Sequence, residues 1–327
     1  MKRPSVRSYD PCQYGQVVES MALSRARRRN SFPALPAEFA EAPVSEWIPV
    51  SHTSGAMALS DDGSLAGCLF AERREDPVWG PSVVAESDGW AYSQDIYPDT
   101  LALMYGIAFG PATVGAHRHV VRCPASDKAM LDAWFHLGFG IEQAFAVARL
   151  DGLEPICIPS TELEIRHAEA GDEDILERLS PTIAVVQSGA PVWAGAPDAY
   201  LADLREGFRA MATDEEAIAL LAFRDGKAVG YQAWFPVRPV ERRPAPWWHL
   251  PEGGVELSVG ATIPEARRSG VGRCLTARGV AEALSRGYTH VFTDWRTANP
   301  LSSAFWPACG FQTFEYRLVR RIDPLAL

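Results

Sequence analysis

Val255-Glu256-Leu257-Ser258-Val259-Gly260-Ala261-Thr262-Ile263-Pro264-Glu265-Ala266-Arg267-Arg268-Ser269-Gly270-Val271-Gly272, followed by Arg273-Cys274-Leu275, is the stretch on which the reading of this chain turns. An apolar run rich in Val, Ile and Thr and closed by a proline reads as a buried strand, and the glycine-containing turn after it opens a strongly helical segment. Glycine at 270 and 272 allows close approach and unusual dihedrals, and the first turn of any helix leaves its backbone N–H groups unpaired. With Arg267 and Arg268 beside it, such a helix start suits an anion, a pyrophosphate above all. The turn is neither Gly-x-Gly-x-x-Gly nor a P-loop, which would need Gly-Lys-Ser/Thr.

The spacing Arg267-x-x-Gly270-x-Gly272 after a strand resembles the pyrophosphate loop of the GCN5-related N-acetyltransferases, which bind acetyl-CoA. A second element of that family follows: Asn299, then Trp306 seven residues later, then Gly310-Phe311. The family typically has Asn, an aromatic residue at that distance (usually Tyr) and Gly-Phe. The resemblance covers residues from about 160 to the end.

Composition sets the outer limits. A chain of 327 residues with 47% hydrophobic content can bury a large core, and its length suggests two domains. A formal charge of −10 argues against nucleic acid as a partner and permits a cationic substrate. Six cysteines, at 12, 68, 123, 157, 274 and 309, show no metal-ligand spacing and are expected to be reduced and mostly buried. No run approaches the about 20 apolar residues that cross a bilayer, so a soluble, cytoplasmic protein without a membrane partner is expected. The cluster Arg25-Ala26-Arg27-Arg28-Arg29 ends an expected helix over 11–29, where positive charge complements the dipole, and reads as a solvated face.

Two internal echoes give the domain organisation. Apolar runs flank Asp62-Gly63, a hairpin signal, and the same Asp-Gly-x-x-x-Gly returns at Asp225-Gly226, displaced by 226 − 63 = 163 positions. Asp127, Trp134, Gly138 and Phe139 repeat the spacing of Asn299, Trp306, Gly310 and Phe311, each displaced by 172 (299 − 127, 306 − 134, 310 − 138, 311 − 139). Two patterns in one order, with offsets differing by only nine, imply two copies of one fold. The fold class expected is therefore α/β (α+β): two tandem domains, 1–152 and 160–327, joined by a proline-containing connection over 150–163. Each is like the acetyltransferases, with a mixed central sheet flanked by helices. In the second copy the expected order is β-α-α-β-β-β-α-β-α-β, with helices from Asp172 and over 197–211 and last strands over 311–322.

The copies differ chemically. Position 270 − 172 falls at Pro98, in a segment without a glycine pair or an arginine, where Asp95 and Asp99 would repel a phosphate. The first copy is thus expected to keep the fold and lack the cofactor site.

The resemblance implies that the main chain of Val259, Gly260, Ala261 and Thr262 pairs with the pantetheine arm of acetyl-CoA. The loop and helix start at Arg267, Arg268, Ser269, Gly270, Val271, Gly272 and Arg273 would hold its diphosphate, and Asn299 would hydrogen-bond the pantetheine region. Attack of an amine on a thioester needs a neutral amine, a polarised carbonyl and a proton for the departing thiolate. Glu256, eleven residues before Arg267, is the candidate general base, since family members that acetylate histone lysines carry a glutamate at this spacing. The usual acid, a tyrosine, is replaced by Trp306, whose indole offers only an N–H donor. Tyr316, Tyr288 or water could take that part, and Trp306 is expected to pack against cofactor or core.

The loop 237–253, with Arg238, Arg242, Arg243, Trp247, Trp248 and His249, is expected to cover the acceptor site or to form the interface with the first copy. The activity implied is acetyl-CoA-dependent N-acetylation of a small-molecule or peptide amine, by a monomer or homodimer without a metal. A non-catalytic acyl-CoA-binding or regulatory protein is the competing reading. A thiol-cofactor precursor or an aminoglycoside is an acceptor class that tandem members of the family suggest.

Overall fold

The computed structural model describes residues 3–40, 54–76, 80–93, 98–153, 162–237, 253–323 and 325. The chain forms two compact units, Met1–Ala144 with Phe314–Leu327, and Phe145–Thr313.

The first ten elements are β1 (Ser5–Ser8), α1 (Tyr14–Ser31), β2 (Ser54–Leu59), β3 (Leu65–Arg74), β4 (Ser82–Ala85), β5 (Trp90–Tyr92), α2 (Pro98–Phe109), β6 (Arg118–Pro124), α3 (Lys128–His136) and β7 (Gly140–Arg149). They are followed by β8 (Leu163–His167), α4 (Glu173–Leu179), α5 (Pro181–Ser188), α6 (Asp198–Ala210), β9 (Ile218–Arg224), β10 (Lys227–Pro236), β11 (Gly254–Thr262), α7 (Val271–Ser285), β12 (His290–Arg296), α8 (Pro300–Ala308) and β13 (Gln312–Arg321). Both Asp-Gly turns close antiparallel hairpins, β2 with β3 and β9 with β10. In the second, Asp225 and Gly226 both take positive φ, 51° and 70°, as a tight hairpin turn requires.

The repeat read in the sequence is a repeat of structure. The starts of β4 and β11, β6 and β12, α3 and α8, and β7 and β13 are each displaced by 172 (254 − 82, 290 − 118, 300 − 128, 312 − 140). Asp127 and Asn299 head the paired helices α3 and α8, each accepting hydrogen bonds from first-turn amides through its side chain.

In the first unit the strands run β1-β2-β3-β4-β6-β13, with β5 on β3. The last strand of the chain therefore counts with the first unit, pairing antiparallel with β6 from Glu315↔Pro124 to Arg321↔Arg118. In the second unit the order is β12-β11-β10-β9-β8, and the second half of β7, from Phe145, lies beside β12. Between Leu163 and Gln312 the second copy has the expected order plus one helix: Ser180-Pro181 divides α4 from α5 instead of ending helix altogether. Proline is tolerated in the first turn of α5 because its missing N–H would be unpaired there anyway. The expected last strands over 311–322 are one strand, β13. Of the expected connection, residues 154–161 lie outside the described residues.

Two expectations fail here. Arg25 does not belong to a solvated face: it is 0% exposed and pairs with buried Asp88 at 2.6 Å, because α1 lays this side of its last turns against the first unit. Nor are all six cysteines reduced. Cys12, Cys68, Cys123 and Cys309 are free thiols, whereas Cys274, buried in α7, is disulfide-bonded. Such proximity arises from packing and leaves no mark in cysteine spacing.

In the first unit His119 is 3% exposed, its ring nitrogens 2.6 Å from the Tyr105 hydroxyl and 3.0 Å from Thr113 Oγ1. Burial, then the charge of Arg320, pushes its pKa down to about 4. The unfolded chain, with an ordinary histidine near 6.5, takes the proton first as pH falls. The stability this neutral ring contributes is thus fully present above pH about 6.5 and is lost as pH falls toward about 4. Urea midpoints should drop across that window, and His119→Gln should flatten the dependence; an equally steep profile in the variant would assign it to other groups.

Candidate functional site

The site begins where two parallel strands part. β11 and β12 pair from Gly254↔His290 to Leu257↔Thr293 and no further, although β11 runs on to Thr262 and β12 to Arg296. Thr293, 1% exposed, closes the last rung by donating its hydroxyl to the Leu257 carbonyl at 2.9 Å. Beyond it, β11 stays paired with β10 on one side only, Val259↔Ala233 through Thr262↔Gly230, after a register shift that leaves Ser258 as the bulged residue. A bulge bends and twists a strand locally, which suits it to turning β11 away from β12. The edge of Val259, Gly260, Ala261 and Thr262 that faces β12 therefore presents main-chain N–H and C=O groups to a cavity of about 590 Å³, which all four line.

The cavity leads to the start of α7. Gly270, the residue before the helix, has φ 85°, and Arg268 two residues earlier is left-handed as well, at φ 60°. A non-glycine residue held there is strained by about 1–3 kcal/mol, and such strain clusters at ligand sites. Left-handed residues so close together fold the chain into a concavity of amides, the form that binds anions. No side chain caps the first turn of α7 among the described residues. Arg267 is tied back to the strand end, its Nε donating to the Thr262 carbonyl at 3.3 Å. Arg267, Arg268, Gly270, Val271, Gly272 and Arg273 all line the cavity. Uncapped amides, the positive end of a helix dipole and three arginines fit a diphosphate.

Ser269 does not line the cavity: its hydroxyl donates to the Ala266 carbonyl at 2.7 Å and accepts from Arg224 at 3.1 Å, holding the turn itself. Asn299 lines the cavity, but its Oδ1 caps α8, accepting from the Leu301 and Ser302 amides, and its Nδ2 donates to Ser302 at 2.9 Å. It builds the wall. Trp306 lines the cavity at 7% exposure and packs edge-on against Phe305 and Phe311, 4.8 and 5.4 Å between ring centroids. Glu256 lies on the paired part of β11, in register with Phe235 and Phe292, and is not among the cavity-lining residues. Tyr288 and Tyr316 do not line the cavity either; Tyr316 pairs with Cys123 in the first unit. Of the loop 237–253, with its arginines, tryptophans and His249, residues 238–252 lie outside the described residues.

The cavity has two faces, because neighbours on β10 point to opposite sides of the sheet. Gln232 points to α7, its Nε2 donating to Thr276 at 2.8 Å. Tyr231 points to α6 and meets Phe208 edge-on at 5.0 Å. On that second face the cavity is walled by Thr182, Ile183, Val186 and Gln187 of α5. Burial, foremost, pushes the phenols of both Tyr231 and Tyr200 of α6 above the ordinary tyrosine value. Sequence reasoning missed Tyr231, Arg296 and all of α5, which carry no motif and come together only through the packing of the second unit.

Among the described residues the first copy shows neither feature; residues 94–97, with Asp95, lie outside them. All four residues of β4 pair with β6, Ser82↔Arg118 to Ala85↔Val121, so that strand has no open edge. The helix corresponding to α7 is α2, which starts at Pro98 and carries Asp99 in its first turn, in contact with Arg3 at 2.6 Å.

Residues 187–311 match the model of the acetyltransferase (GNAT) family. The whole chain is similar in fold to a GCN5-related N-acetyltransferase from Sphaerobacter thermophilus. The TM-score is 0.55 and the identity 15%, over 98% of this chain and 96% of that one. It is also similar to a tandem GNAT protein from the clavulanic acid biosynthesis pathway, with TM-score 0.50 and 14% identity over 98% and 99% of the two chains. At these identities the likeness is one of fold. No curated protein matches the chain in sequence. Among the described residues no group of three or more His, Cys, Asp or Glu is placed to hold a metal, and no helix is long and apolar enough to cross a membrane.

Proposed function

We propose that this chain, whose second copy carries an acetyltransferase domain of the GNAT family, transfers the acetyl group of acetyl-CoA to a primary amine, inside the cell where that thioester is made. The observation that carries the reading is the open edge of β11 running into the uncapped first turn of α7. Five residues of β11, Ser258 to Thr262, line the cavity with no partner on the β12 side among the described residues.

Coenzyme A would supply the thioester, at whose carbonyl carbon the C–N bond forms as the C–S bond breaks. The main chain of Val259 to Thr262 would hold the pantetheine amides in extended register, and the amides of 271–273 with Arg267, Arg268 and Arg273 would hold the diphosphate. Glu256 is our candidate to take the ammonium proton, through water, since it stands outside the cavity wall at the closed end of the wedge. The departing thiolate takes its proton from solvent or from a cavity hydroxyl, Trp306 having none to give.

Calorimetry should find one coenzyme A per chain, as a first copy without an open edge or phosphate cradle requires; two would overturn its assignment as a structural domain. Thiol release from acetyl-CoA over a panel of amines tests the chemistry. Glu256→Gln should lower kcat by about 100-fold, the usual scale for a general base, with coenzyme A affinity unchanged. An unaltered kcat removes Glu256 from the mechanism. Tight coenzyme A binding without turnover of any amine would favour a binding protein, the reading that Trp306 in place of tyrosine keeps in view.

A further inference from the structure

Tyr231 is 1% exposed, and its hydroxyl is buried without a hydrogen-bond partner among the described residues. A hydroxyl left in that state has lost its hydration with no hydrogen bond in return, so a folded protein seldom keeps one without a use. This one belongs to a residue in the cavity wall, on the α6 face of the sheet and away from the phosphate cradle.

Its surroundings are specific. Arg296 lines the same cavity at 8% exposure, past Thr293 on the diverging part of β12. Asp294 lies two residues before it on the same strand and lines the cavity too, so the two share a face of β12. Tyr231 and Arg296 line one cavity, and Tyr200 of α6 lies near enough to both for charge to act between them. Ile183 and Val186 give that cavity an apolar side, with Thr182 and Gln187 at its borders.

We propose that the acceptor amine carries a carboxylate, seated by the Tyr231 hydroxyl and the Arg296 guanidinium, with its ammonium toward Asp294: a free amino acid with an aliphatic or aromatic side chain against α5. A neutral phenol donates and a guanidinium donates, and an anionic oxygen accepts from both. Asp294, on the same strand face, suits the cation at the other end of such a molecule. The inference rests on the acyl-transfer reading for the amine and deepens it.

The probes are L-leucine and L-phenylalanine beside their decarboxylated partners, isoamylamine and phenethylamine, titrated into the full chain saturated with coenzyme A. Expected is binding of the two amino acids at least tenfold tighter than of the matching amines, and Tyr231→Phe should reduce that preference at least fivefold while coenzyme A affinity stays unchanged. Arg296→Gln should reduce it likewise, with cofactor binding as the control for folding. Amines that bind as tightly as the amino acids, a preference that survives Tyr231→Phe, or amino acids that do not bind at all would overturn the carboxylate site. Turnover of the amines in those cases would leave the transferase reading standing, and loss of coenzyme A binding by the parent protein would overturn that reading by itself.

Discussion

Gly270→Asp should weaken coenzyme A binding by roughly a hundredfold, about 3 kcal/mol, in calorimetry. Two effects add. The left-handed φ of 85° at this position is open to glycine and strained for aspartate, so the turn relaxes and the amides of 271–273 no longer converge. The new carboxylate also stands at the positive end of α7, where it takes up the first-turn amides itself and repels the diphosphate. An added Cβ at 270 meets nothing within 4 Å, so the fold has room for it and the loss reports on binding. Gly270→Ala carries the strain without the charge and should cost about tenfold. Affinity within a factor of two of the parent protein in the aspartate variant would place the diphosphate elsewhere.

The second large effect concerns how α7 is held. A Cβ built at Gly279 would lie 2.4 Å from Cε2 and Cζ2 of Trp234, which is 0% exposed. Mid-helix Gly→Ala ordinarily gains about 1 kcal/mol from helix propensity. Here the sign should reverse, because the ring cannot retreat: Gly279→Ala should destabilise by about 2 kcal/mol and Gly279→Leu by about 3 or more. The consequence reaches the site along one chain of hydrogen bonds. Trp234 donates to Gln232 at 3.3 Å, Gln232 to Thr276 at 2.8 Å, and Thr276 to the Gly272 carbonyl at 2.9 Å, in the first turn of the cradle. Displacing Trp234 should therefore loosen coenzyme A binding along with the fold. Thermal unfolding of Gly279→Ala at or above the parent temperature would show that helix and strand do not meet as described.

The parts of the site legible in the sequence were those made by the main chain. A glycine that must be left-handed, a helix start without a capping side chain and a proline closing an apolar strand are local conditions, written in consecutive residues from Val255 to Gly272. The side-chain roles were less legible. Asn299 carries the expected position, yet caps its own helix, as Asp127 does in the first copy; one residue type serves both ends, and the pattern cannot say which. Ser269 sits inside the motif and faces away from the cavity because its hydroxyl closes the turn on Ala266. Tyr231 is an ordinary strand tyrosine until α5 and α6 close over it.

The sequence alone determined that there are two copies, displaced by 172 positions, and that one of them has a glycine-bracketed helix start flanked by arginines and the other Pro98 and Asp99 in its place. Those facts depend on residues close along the chain, where turn geometry and helix dipoles act. Only the tertiary structure decided that β11 leaves β12 after Leu257, that the Tyr231 hydroxyl is buried at the cavity wall without a hydrogen-bond partner among the described residues, and that the last strand, β13, completes the sheet of the first unit. Strand partners are chosen by the burial of side chains far apart in sequence, so the ten residues of β13 do not by themselves name the sheet they will join.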